Sequence, residues 1–426
     1  MKRTTPALTS IVVLLLFTVG GVQVVNFVSA NFLPPPPELP YLYIRADGTV
    51  EPQTAIIQRI GETYTFTGDI INYTLEVQRD DIVVDGAGYL LQGNGTGKGI
   101  VLTSVTNVTI RNMTLRNLRF GIYLNQSSGN TITQNDITST EVGVFSESSS
   151  NNDINGNDIT GNSQGIVLIE YSNHNNIVEN RILENGMAGI LLEFANNHTS
   201  DYNNIIRNNM ASNGVFGMRI SSSSNCLIEG NNINNSEYGI QLSGSACRNN
   251  KLVGNSIRNC SSSGIQMSTD CNHNTIVENA IANNQIGIDI FASSNNEFYR
   301  NDFVNNTVQV NNGYVEDVNT SIGASINIWS NGFEGNFWSD YSARYPNATE
   351  VDSSGIWNTP YVIDTNNVDH YPLMQKVDVS VTAPTPTPTP TAPAAGIPLP
   401  TIAAISAVSA VVIVIGLLVY FKKRNH

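Results

Sequence analysis

The chain has 426 residues, 13% of them charged and 40% apolar. That is enough apolar material for one long core or two ordinary domains, and it excludes a disordered chain. Abundant Asn, Ser and Gly, all weak helix formers, exclude an ordinary helical domain, and the net charge of −14 excludes a basic face for nucleic acid.

Residues 1–30 carry Lys2 and Arg3, then the apolar run "IVVLLLFTVGGVQVV", and end on "VSA" before Asn31. This is the pattern of a secretory signal peptide, with an uncleaved anchor as the alternative. Residues 31–80 are expected to form an N-terminal cap, and the repeats run over 81–310.

Their first mark is a Gly-aliphatic pair at Gly99, Gly121, Gly143, Gly165, Gly189, Gly217, Gly239, Gly264 and Gly287. A second mark is a pair of apolar residues five apart: Ile132/Ile137, Ile154/Ile159, Ile177/Ile182, Ile205/Met210, Ile228/Ile233, Leu252/Ile257, Ile276/Ile281 and Phe298/Phe303. An Asn lies three residues after the first member each time, at Asn135, Asn157, Asn180, Asn208, Asn231, Asn255, Asn279 and Asn301. A period of about two dozen residues means a solenoid. The apolar pairs are spaced for short strands, with no amphipathic stretch long enough for a helix, so each repeat reads as one three-stranded coil of a parallel β-helix. Coils stacked about 4.8 Å apart place equivalent Asn side chains one above the next, where each amide satisfies its neighbour. Glycine at the other bend is expected to supply backbone angles closed to bulkier residues.

Residues 311–378 hold all three tryptophans, Trp329, Trp338 and Trp357, with Tyr341, Tyr345 and Tyr361. They suit a hydrophobic plug closing the solenoid, with sugar stacking as the other use. Residues 379–400 contain the Pro/Thr-rich linker "APTPTPTPTAP". Residues 401–421 are apolar and uncharged, long enough to cross a bilayer, and the basic tail 422–426 should stay cytoplasmic. The expected placement is therefore the cell membrane, single-pass, with the ectodomain extracellular. Without Lys2, Arg3, Lys422, Lys423 and Arg424 the ectodomain keeps 16 basic residues against 35 acids. Sequons such as those at Asn72, Asn107, Asn112, Asn197, Asn259 and Asn347 suit a glycosylated exterior.

The opening stretches "YIRADGTVEPQTAIIQRIGETYTFTGDI" and "DDIVVDGAGYLLQG", with the closing "NIWSNGFEGNFWSDY" and "TPYVIDTNNVDHYPLM", carry a resemblance. Over Tyr41 to Met374 the chain resembles right-handed parallel β-helix repeat proteins of the pectate-lyase-like type, particularly the NosD-like group and similar archaeal surface proteins. The expected fold is all-β: a right-handed parallel β-helix solenoid of about ten coils with a C-terminal capping module and a C-terminal transmembrane helix. Relatives tend to carry an Asp-rich loop before TPY, whereas this chain reads "DSSGIWNTPY", keeping Asp352 and replacing later acids with Ser354 and Asn358. Calcium is thus left open but disfavoured, and no other cofactor is expected. The NosD likeness implies copper handling, yet His174 and His273 share a column four rungs apart, about 19 Å, and His198 stands alone. No metal site is expected.

Cys247 and Cys271 fall on adjacent rungs at a separation that suits a disulfide, which an extracellular site would permit; Cys226 and Cys260 read as buried thiols. Outward positions after each glycine include Tyr123, Phe145 and Leu191, an apolar strip suited to a ligand or to a cover from the chain itself. The same face offers Glu147 and Glu193, two rungs or about 9.6 Å apart, with Arg219 and Asp289 as further catalytic candidates. The resemblance puts glycan-active sites of this fold on this sheet, although the acid clusters of its lyases and polygalacturonases are missing. The balance falls against catalysis. The expectation is a membrane-anchored extracellular β-helix surface protein that binds carbohydrate or serves the cell envelope structurally. A polysaccharide hydrolase or lyase is the alternative, and a NosD-like metal-enzyme maturation factor a second. Expected partners are the membrane, through one C-terminal helix, and polysaccharide or cell-envelope glycan; nucleic acid is not expected.

Overall fold

A computed structural model describes residues 38–379, apart from 314, 318–319 and 323–324, together with a short backbone pairing of Thr18–Val19 with Val22–Gln23. The predicted membrane helix 401–421, the linker beyond 379 and most of the predicted signal peptide lie outside the described residues. Among the described residues no helix is long and apolar enough to cross a membrane.

The repeats wind into a solenoid of about 11 turns, walled by three sheets of 13, 12 and 12 strands. One coil shows how. Thr131–Thr133 and Asp136–Thr138 are three-residue strands parted by Gln134 and Asn135. Gln134 is left-handed, with φ 56°, and this single residue turns the chain from one sheet into the next. Val142–Glu147 then supplies a six-residue strand to the 13-stranded sheet, here called the glycine sheet. Each strand pairs in parallel with its equivalent one coil on, as in Ile132↔Ile154↔Ile177↔Ile205. Sequence counting predicts about ten coils because it relies on the Gly-aliphatic pair. Leu75 and Val310 extend the stack beyond Ile100 and Ile288 without a preceding glycine.

Inside, the aliphatic columns are sealed: Ile132, Ile177, Ile205, Ile228 and Ile276 are all 0% exposed. Each such side chain contributes roughly 1.5–3 kcal/mol on burial. The bend asparagines form an unbroken ladder in which each Nδ2 donates to the next Oδ1. The bonds run Asn135 to Asn157 (3.0 Å), Asn180 (3.0 Å), Asn208 (3.0 Å), Asn231 (3.1 Å), Asn255 (3.0 Å), Asn279 (2.9 Å), Asn301 (3.0 Å) and Asn336 (2.9 Å). Every amide also donates to a backbone carbonyl of the coil before, as Asn231 does to Ile205 at 2.8 Å. A fully buried carboxamide is thereby satisfied on all sides.

The glycine column corrects the expectation of unusual backbone angles, because none of Gly99, Gly121, Gly143 or Gly165 has a positive φ. They are needed for close approach. A Cβ on Gly143 would lie 2.6 Å from the Gly165 carbonyl oxygen and 2.7 Å from Ile159 Cγ2.

The closing module continues the columns with rings. Trp329 stacks on Phe298 (4.5 Å), Trp338 on Phe303 (4.3 Å) and Tyr361 on Trp338 (4.1 Å). Asp369, 0% exposed, ends the Asn ladder by accepting from Asn336 N (2.7 Å) and Trp338 Nε1 (2.9 Å). Past it the chain crosses back over the last coils, where Val377 N donates to Asp302 (2.9 Å). Burial pushes both carboxyls up to about 6, overriding the N–H donors that oppose it. A carboxyl raised in the folded state favours folding below its unfolded pKa and loses that contribution as pH rises through the folded value. Stability should therefore gain about 1 kcal/mol per group between pH 7.5 and pH 5. Urea midpoints at the two pH values check this. Asp302→Asn, which keeps an acceptor for Val377, should halve the difference, and an unchanged difference would contradict the assignment.

Candidate functional site

The outer face of the glycine sheet gathers most of the predicted site residues. Strict strand alternation would turn the residue before each glycine inward. Instead the alternation breaks at the glycine, whose absent Cβ already points at the core, and the preceding residue is thrown outward. Lys98, Phe120, Val142, Phe216 and Tyr238 thus join the outer face, and sequence reasoning missed them for this reason. The break is visible in the register, where Lys98↔Phe120 and Ile100↔Ile122 pair and the glycines between them do not.

These extra residues change the strip. Val142, Val167, Ala188, Leu191 and Phe216 form a second buried cluster, with Phe120, Phe145, Ile169, Met187, Val215 and Tyr238 packed against it. Leu191 is only 2% exposed, so this predicted ligand contact offers no surface. Tyr123 and Phe145 remain half-buried, their rings stacked at 5.6 Å and 3°. Lys98 Nζ sits 3.6 Å from the Tyr123 ring centre, and the Tyr123 hydroxyl donates to Glu147 at 2.6 Å. Burial lowers the pKa of Lys98, which the nearby Glu147 carboxylate opposes, and burial together with that hydrogen bond raises the pKa of Tyr123.

The four catalytic candidates do not converge. Ile169 lies between Glu147 and Glu193 in the stack. Glu193 faces Arg219 at 3.6 Å, and burial raises its carboxyl above the usual range while Arg219 opposes the shift. Asp289 stands four rungs beyond Leu191, at the end of an amide row: Gln241 donates to Gln266 (2.5 Å), Gln266 to Asp289 (3.1 Å), and Asn311 to Asp289 (2.8 Å). The site is thus three separate groups along one rigid face: Lys98–Tyr123–Glu147, Glu193–Arg219, and Asp289 with its amides.

The family described as a right handed beta helix region matches residues 98–252. The chain is a right-handed parallel β-helix repeat protein. The family described as periplasmic copper-binding protein (NosD) matches residues 182–343 of the β-helix. Among solved structures the chain is similar to the catalytic domain of a GH87 alpha-1,3-glucanase in complex with nigerose, at 14% identity, 63% of each chain and TM-score 0.46. It is also similar to the periplasmic alginate epimerase AlgG, at 12% identity, 58% of this chain, 80% of that one and TM-score 0.42. The β-helix protein spans about 63% of the glucanase chain it matches. Likenesses at this level concern the winding and assign no substrate. No curated protein sequence matches.

In the β-helix the Cys247–Cys271 disulfide that the rung spacing suits is not formed, and all four cysteines are free and buried. In-register stacking points both side chains the same way, so Cys271 Sγ meets the Cys247 carbonyl oxygen at 3.1 Å. Cys226 and Cys260 each occupy an Asn column, their backbone N–H donating to Asn250 and Asn284 at 2.9 Å. Burial pushes both of these thiols up to about 12, and raises Cys247 as well. All four thiols should resist a disulfide reagent until the protein unfolds and then react together; fast labelling of native protein, or two missing thiols after unfolding, would contradict this arrangement. Among the described residues no three His, Cys, Asp or Glu side chains gather as a metal site. His174 and His198 stack instead on the exposed rings of Tyr202 (4.9 Å) and Tyr171 (4.0 Å).

Proposed function

We infer that the protein is an extracytoplasmic β-helix, held at the membrane through residues 401–421, whose glycine-sheet face binds an envelope or environmental glycan without cleaving it. The reading is carried by the Tyr123–Phe145 ring pair, stacked in register on adjacent coils of a rigid sheet, with Lys98 over the Tyr123 ring and Glu147 at its hydroxyl edge. Flat rings edged by hydrogen-bonding groups suit the apolar face and hydroxyls of a sugar. The match to a periplasmic family supports placement outside the cytoplasm.

A hydrolase is the second reading, favoured by Glu193 alone, whose raised pKa is what a general acid needs. It lacks a free partner, because Glu147 accepts the Tyr123 hydroxyl and is separated from Glu193 by Ile169. The test is a panel of neutral and acidic polysaccharides offered to the full-length protein in detergent, read for binding and for new reducing ends. Binding should weaken about tenfold or more in Phe145→Ala, equivalent to about 1.4 kcal/mol, with no ends released. Release abolished by Glu193→Gln would make the protein an enzyme. Absence of binding across the panel would leave an envelope structural role.

A further inference from the structure

A solenoid rich in Asn, Ser and Thr creates Asn-x-Ser/Thr sequons as a by-product of its ladders, and the fold sorts them. At Asn72, Asn112, Asn125 and Asn234 the residue two positions on is Thr74, Thr114, Ser127 or Ser236, exposed by only 2, 7, 0 and 4%. These sequons lie within the coils, so presenting them to a transferase would dismantle a rung.

Asn94, Asn107, Asn259 and Asn305 are exposed but sit at the corners of coils, whereas Asn197 and Asn347 are built differently. Asn197 is at the tip of a hairpin in which Ala195 and His198 exchange backbone hydrogen bonds of 3.2 and 2.8 Å. Asn196 and Asn197, with φ 47° and 63°, make its two-residue turn. The hairpin lengthens the coil between Gly189 and Gly217 and is exposed at its tip; its Thr199 hydroxyl donates only to Asp201, at 2.7 Å. Phe194, three residues before Asn197, is 45% exposed. Asn347 follows Pro346 in a turn closed by Ala348 N donating to the Tyr345 carbonyl at 3.1 Å, and both Asn347 and Thr349 are exposed. Neither Asn197 nor Asn347 has a carboxamide hydrogen bond among the described residues. Each therefore combines an exposed turn, a free amide, a threonine two residues on and an aromatic ring close before it.

We propose that Asn197 and Asn347 are acceptors of N-linked saccharide and that the coil-embedded sequons are not. In the transfer, Nδ2 bonds to C1 of the first sugar of a polyprenyl-phosphate-linked saccharide. The bond from C1 to the phosphate oxygen breaks, its electron pair leaves with the lipid phosphate, and Nδ2 gives up one proton to base. Phe194 and Tyr345 then offer a ring face to the first sugar. The inference rests on the extracytoplasmic placement proposed above, since the lipid-linked donor is used there.

The test is glycopeptide mass spectrometry of the full-length protein from the membranes of its own cells, alongside protease treatment of intact cells. Saccharide is expected on Asn197 and Asn347, with bare peptides at Asn112, Asn125 and Asn234. Thr199→Ala should remove it from Asn197 alone, Thr199→Ser should retain it, and Phe194→Ala should lower occupancy several-fold, with the protease-resistant solenoid intact in all three. Bare Asn197 and Asn347 on an ectodomain that surface protease releases would overturn the acceptor assignment and leave the display reading standing. Bare sites on a protease-protected ectodomain would overturn both. Saccharide on Asn112, Asn125 or Asn234 would mean that transfer precedes coiling, and the sorting would fail.

Discussion

Asn231→Ala is expected to destabilise the solenoid by about 3–5 kcal/mol, far more than a polar-to-alanine change at a surface. The Asn231 oxygen accepts from Asn208 N (2.9 Å) and Asn208 Nδ2 (3.1 Å), and its Nδ2 donates to the Ile205 carbonyl (2.8 Å) and to Asn255 (3.0 Å). Alanine leaves the Asn208 backbone N–H and one of its two Nδ2 hydrogens unpaired at a site that is 0% exposed, the other hydrogen keeping the Ile177 carbonyl at 2.8 Å, and leaves a small void beside them. Asn231→Asp keeps the shape but buries an acid, so its stability should recover in part as pH falls and the carboxyl protonates. Asn283→Ala is the control. Asn283 sits at an exposed corner with φ 57°, and its loss should cost about 1 kcal/mol. Repeat arrays lose cooperativity, so urea midpoints should be paired with amide exchange, which should quicken most from Ile205 to Ile257. Equal costs at Asn231 and Asn283 would contradict the ladder.

Gly143→Ala should cost more than 3 kcal/mol, roughly, because overpacking here forces backbone to move. The new methyl would meet the Gly165 carbonyl oxygen at 2.6 Å, a fixed atom in the parallel ladder, and Ile159 Cγ2 at 2.7 Å. Gly161→Ala makes the opposite test. Gly161 has φ 68°, yet nothing lies within 4 Å of a Cβ there, so only the conformational penalty of about 1 kcal/mol applies. Chemical denaturation of the two variants separates close approach from backbone angle. If Gly161→Ala were the more damaging, the reading of the glycine column would fall.

The solenoid is legible in the sequence because its period acts on every coil: one aliphatic column and one Asn column, repeated, leave no other fold able to bury both. The outer face is less legible. Phe120 and Lys98 face outward only because the strand kinks at a glycine, and alternation read from composition carries no sign of that kink. Leu191 reads as a ligand contact until Phe216 and Ala188 are seen to pack around it. The left-handed corners were equally hidden, since Gln134, Glu179, Arg207 and Arg300 take positive φ where glycine or asparagine would announce a turn. The Cys247–Cys271 pairing followed correctly from rung adjacency and failed on direction, because stacking aligns side chains in parallel.

All of this depends on residues some two dozen apart becoming vertical neighbours at a fixed rise. Spin labels at Ser139, Ser212 and Asn283, exposed residues at equivalent corners with φ near 55°, read that rise directly. Ser139 to Ser212 and Ser212 to Asn283 each span three coils, and Ser139 to Asn283 spans six. The expected backbone separations are about 14, 14 and 29 Å, so pulsed dipolar distances should double from either short pair to the long one. The native thiols are buried and should stay unlabelled. Distances that fail to add along one line would contradict the stacked register, and the amide ladder and outer face would go with it.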